Sequence, residues 1–250
     1  MYLYEFKLRY EAMNQKINLL LSKIELLKNI NDKDLNDLSN NASILNYNSA
    51  EQIIDRNAQN KDIFFVISGS VRVVNYSNSG REIAFAKFTE GDYFGEISAI
   101  DGKPRSANVV AIENCVLISV KRESFIDLLH RNSKISFLIL KRFTEIIRIS
   151  DERIMDLSTL RAVQRVYVEL LRRTDKDVAV PELWVIRPMP SHSLIASLAG
   201  TTRETVARVL SNLTDAKIVE KKSKALYIRN KNKLEQLAEI TNSQASISKN

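Results

Sequence analysis

Between Ser191 and Leu213 the chain specifies two short amphipathic helices with one glycine between them. Ser191 is a good N-cap, and Leu194, Ile195, Leu198 and Ala199 follow it at helical spacing. Gly200 supplies the tight turn. Thr202 caps the second helix, whose apolar face is Val206, Val209, Leu210 and Leu213. The pattern predicts a helix-turn-helix. Arg203 and Glu204 fall in the first turn of its second helix and Arg208 about one turn further on, all outside the apolar face. Those turns of a recognition helix meet base edges in a major groove. An arginine fork matches the O6 and N7 acceptors of guanine, and a glutamate can accept from the cytosine amino group. An amphipathic hairpin with a merely solvated charged face has the same pattern.

Charge is placed unevenly. The first 160 residues hold 21 basic and 21 acidic side chains. The last 90 hold 16 and 9, so the whole formal charge of +7 lies there. A basic C-terminal part beside a neutral N-terminal part suits one polyanionic partner and one partner that is not. A generic basic surface is the alternative.

A chain of 250 residues is long enough for two domains, each with its own core. An apolar content of 44% argues against disorder over most of it. No apolar run approaches the ~20 residues needed to span a bilayer, and Met1–Lys7 lacks a signal-peptide pattern. These features predict a cytoplasmic protein with no membrane partner. The one cysteine, Cys115, allows no internal disulfide or thiolate cluster and lies in an apolar stretch, as a core residue would. Only two histidines, His130 and His192, are present, neither near a nucleophile motif, so an enzyme is not expected. His192, in the first turn ahead of Gly200, reads as solvated surface or a phosphate contact.

The N-terminal part is β-rich. Ile63–Val74 reads as two strands hinged at Gly69, and Asn78-Ser79-Gly80 as a hairpin turn before the strand at 82–88. Asn108–Ala111 and Cys115–Val120 add two more strands, which suggests a barrel or jelly roll. Residues 12–40 read as short flanking helices. Within this domain, Gly95 followed by Glu96 opens a helical turn with free backbone N–H groups, which attract an anion. Arg105 and Ser106 come nine residues after Glu96, beyond a turn marked by Asp101-Gly102 and Pro104. An arginine pairs well with a phosphate and a serine hydroxyl adds a donor, while Glu96 suits a ribose hydroxyl. A loop closed by an internal Glu96–Arg105 ion pair fits the same residues.

Leu140, Phe143, Ile147, Ser150, Ile154, Leu157 and Arg161 alternate spacings of three and four, a seam about three heptads long. The charged flanks favour a long helix paired with a copy of itself in a homodimer. A polar residue such as Ser150 in an apolar seam fixes register or meets a ligand.

The order Arg203-Glu204-Thr205-Val206 with Arg208 resembles the recognition helix of the bacterial cyclic-AMP receptor protein (CRP/FNR) family, and Gly91–Ala107 resembles the phosphate-binding cassette of cyclic-nucleotide-binding domains. The resemblance covers about residues 35 to 237. It implies an α+β chain divided into a helical extension (1–34), a β-barrel or jelly-roll cyclic-nucleotide-binding sensor (35–133), a dimerisation helix (134–160), a winged helix-turn-helix (161–237) and a flexible tail (238–250). It also implies that Gly95 and Ile97 offer backbone contacts, Glu96 meets the ribose 2′-OH, Arg105 and Ser106 hold the cyclic phosphate, and Ala107 is the small residue after them. Ser150 and Asp151 occupy the positions that contact adenine. On DNA, Ser191, Thr202, Arg203, Glu204 and Arg208 would contact an inverted repeat of a TGTGA-like half-site, with Lys221 and Lys222 in the wing touching phosphate. The implied function is a transcription regulator, a homodimer that meets double-stranded DNA and RNA polymerase, with cyclic AMP as effector and no metal. Three departures mark this chain: Asp151 in place of a small hydroxyl, Asp55–Ala58 in place of a glycine-containing turn, and Lys221–Lys224 in place of a glycine-rich wing. A regulator sensing another small anion or nucleotide, or none, is the alternative. An iron–sulfur sensor is excluded by the single cysteine.

Overall fold

A computed structural model describes residues 2–76, 82–177, 180 and 183–239. The chain divides into two compact units, Met1–Glu145 and Ile146–Asn250.

The first unit begins with helix α1, Tyr2–Leu21, a 3₁₀ turn at Glu25–Leu27 and α2, Asp32–Asn40. The short helices expected over 12–40 are therefore one 20-residue helix and two short pieces. No proline or glycine interrupts Tyr2–Leu21, so nothing stops the helix from continuing to its N-terminal end. Ile17, Leu21 and Ile24 tie this extension into the core with Leu38 and Phe125. Asn31 caps α2 by accepting from the Asp34 N–H at 2.8 Å.

Eight strands follow: β1 Ala42–Tyr47, β2 Gln52–Ile54, β3 Ile63–Ser68, β4 Ser70–Tyr76, β5 Glu82–Thr89, β6 Tyr93–Phe94, β7 Asn108–Ala111 and β8 Cys115–Val120. They form two four-stranded sheets, β1-β8-β3-β6 and β2-β7-β4-β5. Every pairing is antiparallel. The architecture is jelly-roll-like rather than a closed barrel. The chain changes sheet at Gly69, where β3 ends and β4 begins. Phe64, Val66, Val71, Phe94, Val109, Cys115 and Leu117 form one core, and Ile63, Phe65, Ile118 and Val120 point into the other, against the helices. This is the period-two alternation of strands covered on both faces. The free thiol of Cys115 is buried, and burial raises its pKa. The Asn78-Ser79-Gly80 turn lies outside the described residues.

Between β6 and β7 sits α3, Glu96–Asp101. After β8 come α4, Arg122–Arg131, and the 27-residue α5, Ser133–Thr159, which crosses the division between the units. Ile135 and Ile139 of α5 are buried, and Phe143 packs against the same core. Leu140, Ile147, Ile154 and Leu157 are 56–61% exposed. Arg161, the last position of the expected seam, lies beyond α5 as N-cap of the next helix. The helix ends at Thr159, so the register of the seam stops there.

The second unit continues with α6 Ala162–Arg172, β9 Asp175–Lys176, β10 Trp184–Ile186, α7 His192–Leu198, α8 Arg203–Asp215, β11 Val219–Lys222, β12 Ala225–Ile228 and α9 Lys231–Glu239. Its sheet runs β11-β12-β10-β9. The segment 175–190 holds two short strands. β9 is only a two-residue pairing with β10 and leaves no periodic signal. Val166, Leu170, Ile195, Val206, Val209, Leu210, Leu213 and Leu234 form the core.

Candidate anion site and nucleic-acid interface

The cassette is built around one buried arginine. β6 hands the chain to Gly95, which has φ 90° and caps α3. A Cβ there would lie 2.8 Å from Nη1 of Arg105 and 3.0 Å from the Asp62 carbonyl, so both backbone conformation and space require glycine. Arg105 is 4% exposed. Its Nη1 donates to the Gly95 carbonyl at 3.2 Å, and Nη2 donates to the Asp62 carbonyl at 2.8 Å and to Asn60 Oδ1 at 3.2 Å. Its Nε is buried with no hydrogen-bond partner. A buried donor on a cation carries a desolvation cost that a bound anion would relieve. Burial also lowers the Arg105 pKa, against the attraction of Asp62 and Glu96.

The connecting loop is fixed at several points. Ser98 Oγ donates to the Pro104 carbonyl at 3.3 Å, the Lys103 N–H donates to Asp101 Oδ1 at 2.9 Å, and Lys61 Nζ donates to the Gly102 carbonyl. Glu96 is also 4% exposed. Burial raises the pKa of its carboxyl, and Arg142, its own backbone N–H and Arg105 pull it back. Among the described residues no Glu96–Arg105 ion pair closes the loop, because the Arg105 fork is spent on carbonyls and an amide. Ile97 and Ser106 are exposed and Ala107 is buried. The Arg105–Gly95 bond thus brings the two ends of the cassette together, with Glu96 and Ile97 at one end and Ser106 and Ala107 at the other.

The helix-turn-helix forms in the second unit. Ser191 accepts from the Leu194 N–H at 3.2 Å, and Thr202 accepts from the Thr205 N–H at 3.2 Å. Gly200 has φ 58°, and a Cβ there would meet Leu157 Cδ2 at 2.8 Å. Arg203, Glu204 and Arg208 are exposed on α8, opposite the buried Val206, Val209, Leu210 and Leu213. The Glu204 pKa is lowered, first by its own backbone N–H at the helix start and then by the Thr202 hydroxyl. β11 and β12 make the wing, with Lys221, Lys222 and Lys224 exposed around a turn at Ser223, φ 55°. Serine tolerates this left-handed position less well than glycine would.

Two families match this arrangement. Residues 44–132 match the cyclic nucleotide-binding domain, and residues 164–237 match the Crp-like helix-turn-helix domain. The chain is 32% identical over 176 residues to the cyclic AMP receptor protein of Thermus thermophilus, covering 70% of this chain and 79% of that one. The chain belongs to the CRP/FNR family of transcription regulators. A second family member, the cAMP-activated global transcriptional regulator Vfr of Pseudomonas aeruginosa, is 26% identical over 73% of this chain and 87% of its own. Among solved structures, FixK2 of Bradyrhizobium japonicum superposes with a TM-score of 0.64 at 25% identity, covering 78% of this chain and 96% of that one. The CooA structure from Carboxydothermus hydrogenoformans shares the fold, with a TM-score of 0.71 at 19% identity over 86% of this chain and 95% of that one. The protein is thus a DNA-binding CRP/FNR-family regulator with a cyclic nucleotide-binding domain.

No described helix of this CRP/FNR-family regulator is long and apolar enough to cross a membrane. Among the described residues no group of three or more His, Cys, Asp or Glu is placed to hold a metal ion. Three groups of contacts escaped the sequence reading. Asn60 and Asp62 hold the Arg105 guanidinium, and Asp62 Oδ1 also accepts from the Arg122 N–H at 3.2 Å. Nothing local in the sequence marks that loop. Arg165 of α6 donates to the carbonyls of Ala199 at 2.7 Å, Gly200 at 3.1 Å and Leu160 at 2.7 Å, and so clamps the turn of the helix-turn-helix. Arg142 of α5 lies beside Tyr93. Its signal was a cation at helical spacing from the buried stripe Ile135–Ile139.

Proposed function

We propose that this protein is a homodimeric, cytoplasmic transcription regulator whose operator binding is controlled by cyclic AMP. The observation that carries the ligand is the buried, unmatched Nε of Arg105 in the same cassette as the buried Glu96. A cyclic phosphate supplies the missing acceptor, and a ribose 2′-OH supplies a donor for the carboxylate. Gly95 and Ile97 would add backbone contacts, Ser106 a hydroxyl donor, and Ala107 the room for close approach. Relatives named as cyclic AMP receptors and cAMP-activated regulators support that choice. Ser150 and Asp151, exposed on α5, are the proposed partners of the adenine. The carboxylate of Asp151 favours one second reading, a different nucleotide or small anion in the same cassette. Isothermal titration with cyclic AMP, cyclic GMP and 2-oxoglutarate separates the two. Cyclic AMP is expected to bind and 2-oxoglutarate not, and the reverse would refute the cyclic AMP reading.

On DNA, Arg203, Glu204 and Arg208 read base edges, Ser191 and Thr202 lie at the helix N-termini nearest the phosphates, and Lys221 and Lys222 add backbone contacts. Ligand binding would favour the dimer state whose two α8 helices match both half-sites, which is a population shift. RNA polymerase is the further proposed partner.

The dimer is proposed to form along the exposed stripe Leu140, Ile147, Ile154 and Leu157, with Ser150 as its polar member. Phe143, already packed in its own core, contributes less. Replacing Ile154 and Leu157 together with glutamate should bury unpaired charge in that seam. Sedimentation is then expected to show a monomer at concentrations where the parent is a dimer. A variant that stays fully dimeric would place the dimer interface elsewhere.

A further inference from the structure

Arg105 spends its Nη2 on the loop between β2 and β3. That nitrogen carries two N–H groups and has two acceptors, the Asp62 carbonyl at 2.8 Å and Asn60 Oδ1 at 3.2 Å. Nη1 donates to the Gly95 carbonyl, and Nε has no partner. In a guanidinium the Nε–H and one Nη2 N–H lie side by side on one edge and point the same way. A phosphate held in a fork takes two parallel donors of this kind. Here one of the pair is unmatched and the other is bonded within the protein. The two acceptors on Nη2 are not equally movable. Asp62 directly precedes β3, and its carbonyl is backbone held where Ile63 pairs with Val120. Asn60 is exposed, bonds through a side chain and makes the longer bond. Its Oδ1 also accepts from the Asp62 N–H at 2.6 Å, a turn within the loop that fixes which end of the amide is oxygen. The loop is tied to the cassette without Asn60, through the Asp62 carbonyl on Arg105 and through Lys61 Nζ, which donates to the Gly102 carbonyl.

We infer that Asn60 is an internal competitor for the phosphate of the effector: its amide oxygen holds the Nη2 edge of Arg105 that a phosphate needs beside Nε, and ligand binding displaces it. This role rests on the proposed cyclic-nucleotide site. The exchange runs toward the ligand, because a phosphate oxygen carries charge and an amide oxygen does not, and charge-assisted bonds at both partners are the stronger ones. The displaced amide stands at the exposed surface of the loop, where water satisfies it. Asn60 therefore lowers the affinity of the site without closing it, and so sets the effector concentration at which the protein responds. A residue that only held the guanidinium in place would act in the opposite sense, since losing it would leave Arg105 less ordered and weaken binding.

Asn60→Ala is expected to bind cyclic AMP more tightly than the parent, by roughly threefold to tenfold, because one hydrogen bond no longer has to be exchanged. Asn60→Asp keeps the turn with the Asp62 N–H and puts a charged acceptor on the guanidinium, so it should bind more weakly than the parent. Calorimetry on the ligand-free proteins gives the three affinities, and the nitrogen-15 NMR signal of the Arg105 Nε–H reports whether the anion reaches the arginine. Should Asn60→Ala fail the fold check by circular dichroism, Asn60→Ser takes its place: its hydroxyl is one bond shorter than the amide oxygen and can still accept from the Asp62 N–H. A folded variant that binds cyclic AMP no more tightly than the parent would overturn the competitor role. A parent that takes no cyclic AMP defeats the effector reading instead. Inorganic phosphate, followed by the Arg105 Nε–H signal, then decides the role of Asn60. It should bind Asn60→Ala more tightly than the parent; equal affinities, or an Arg105 signal that phosphate does not move, would refute the competition.

Discussion

Arg105→Leu is expected to bind cyclic AMP about a hundredfold more weakly than the parent, or worse. The loss comes from unpaired charge. The wild-type guanidinium is buried, three of its hydrogen bonds go to Gly95, Asn60 and Asp62, and its Nε has no partner. A phosphate arriving there meets a prepared cation with a donor to spare. With leucine in that place the same phosphate would be desolvated without a counter-charge, and the Gly95 and Asp62 carbonyls would lose a donor as well. Glu96→Ala should cost less, since it removes one hydroxyl contact and not the phosphate's charge partner. Calorimetry on folded protein, with the fold checked by circular dichroism, measures both. An Arg105→Leu protein that binds cyclic AMP as tightly as the parent would place the ligand elsewhere.

The second large effect concerns sequence readout. Arg203→Ala should cost about 1–3 kcal/mol on a TGTGA-type inverted repeat and little on random DNA, because its fork is matched to guanine O6 and N7. Lys222→Ala should weaken both duplexes alike and reduce the salt slope by about one, because a phosphate contact carries no sequence information. Their surroundings explain the contrast. Arg203 stands at the first turn of α8, whose orientation is set by the Thr202 cap and by four buried aliphatic residues. Lys222 ends a short exposed strand at a turn. Binding curves for each variant on both duplexes at two salt concentrations separate the roles. Equal losses for Arg203→Ala on both duplexes would mean that α8 does not read bases.

The helix-turn-helix was legible because its signals are local. Ser191 and Thr202 make their capping bonds with the third residue on, Gly200 sits at positive φ, and the apolar stripe of α8 is the one its spacing specifies. The cassette was legible for the same reason at Gly95, whose missing side chain is required by an arginine ten residues away. What holds that arginine was not legible. Asn60 and Asp62 reach it across more than forty residues, and the bond to Asp62 uses a backbone carbonyl, which any residue type would present. Nothing local in the sequence marks the partners of Arg142 or Arg165 either, since Arg142 donates to the carbonyl of Tyr93 and Arg165 to those of Ala199 and Gly200, all far along the chain. The seam of α5 rests on spacing and charged flanks. Spacing cannot tell an apolar residue awaiting a partner from one such as Phe143 that already has a core to pack against. The choice between closed barrel and paired sheets also depends on strand partners far apart in sequence, as where Ala42 pairs with Val120.

Coupling of nucleotide and operator is tested by measuring the affinity of this protein for a TGTGA-type inverted-repeat duplex with and without saturating cyclic AMP at fixed salt. Coupling free energies between linked sites are of order 1–3 kcal/mol. The expected result is therefore operator binding tightened by about 5–150-fold, with random-sequence binding changed far less. Operator affinity that is identical with and without a nucleotide shown by calorimetry to be bound would contradict it.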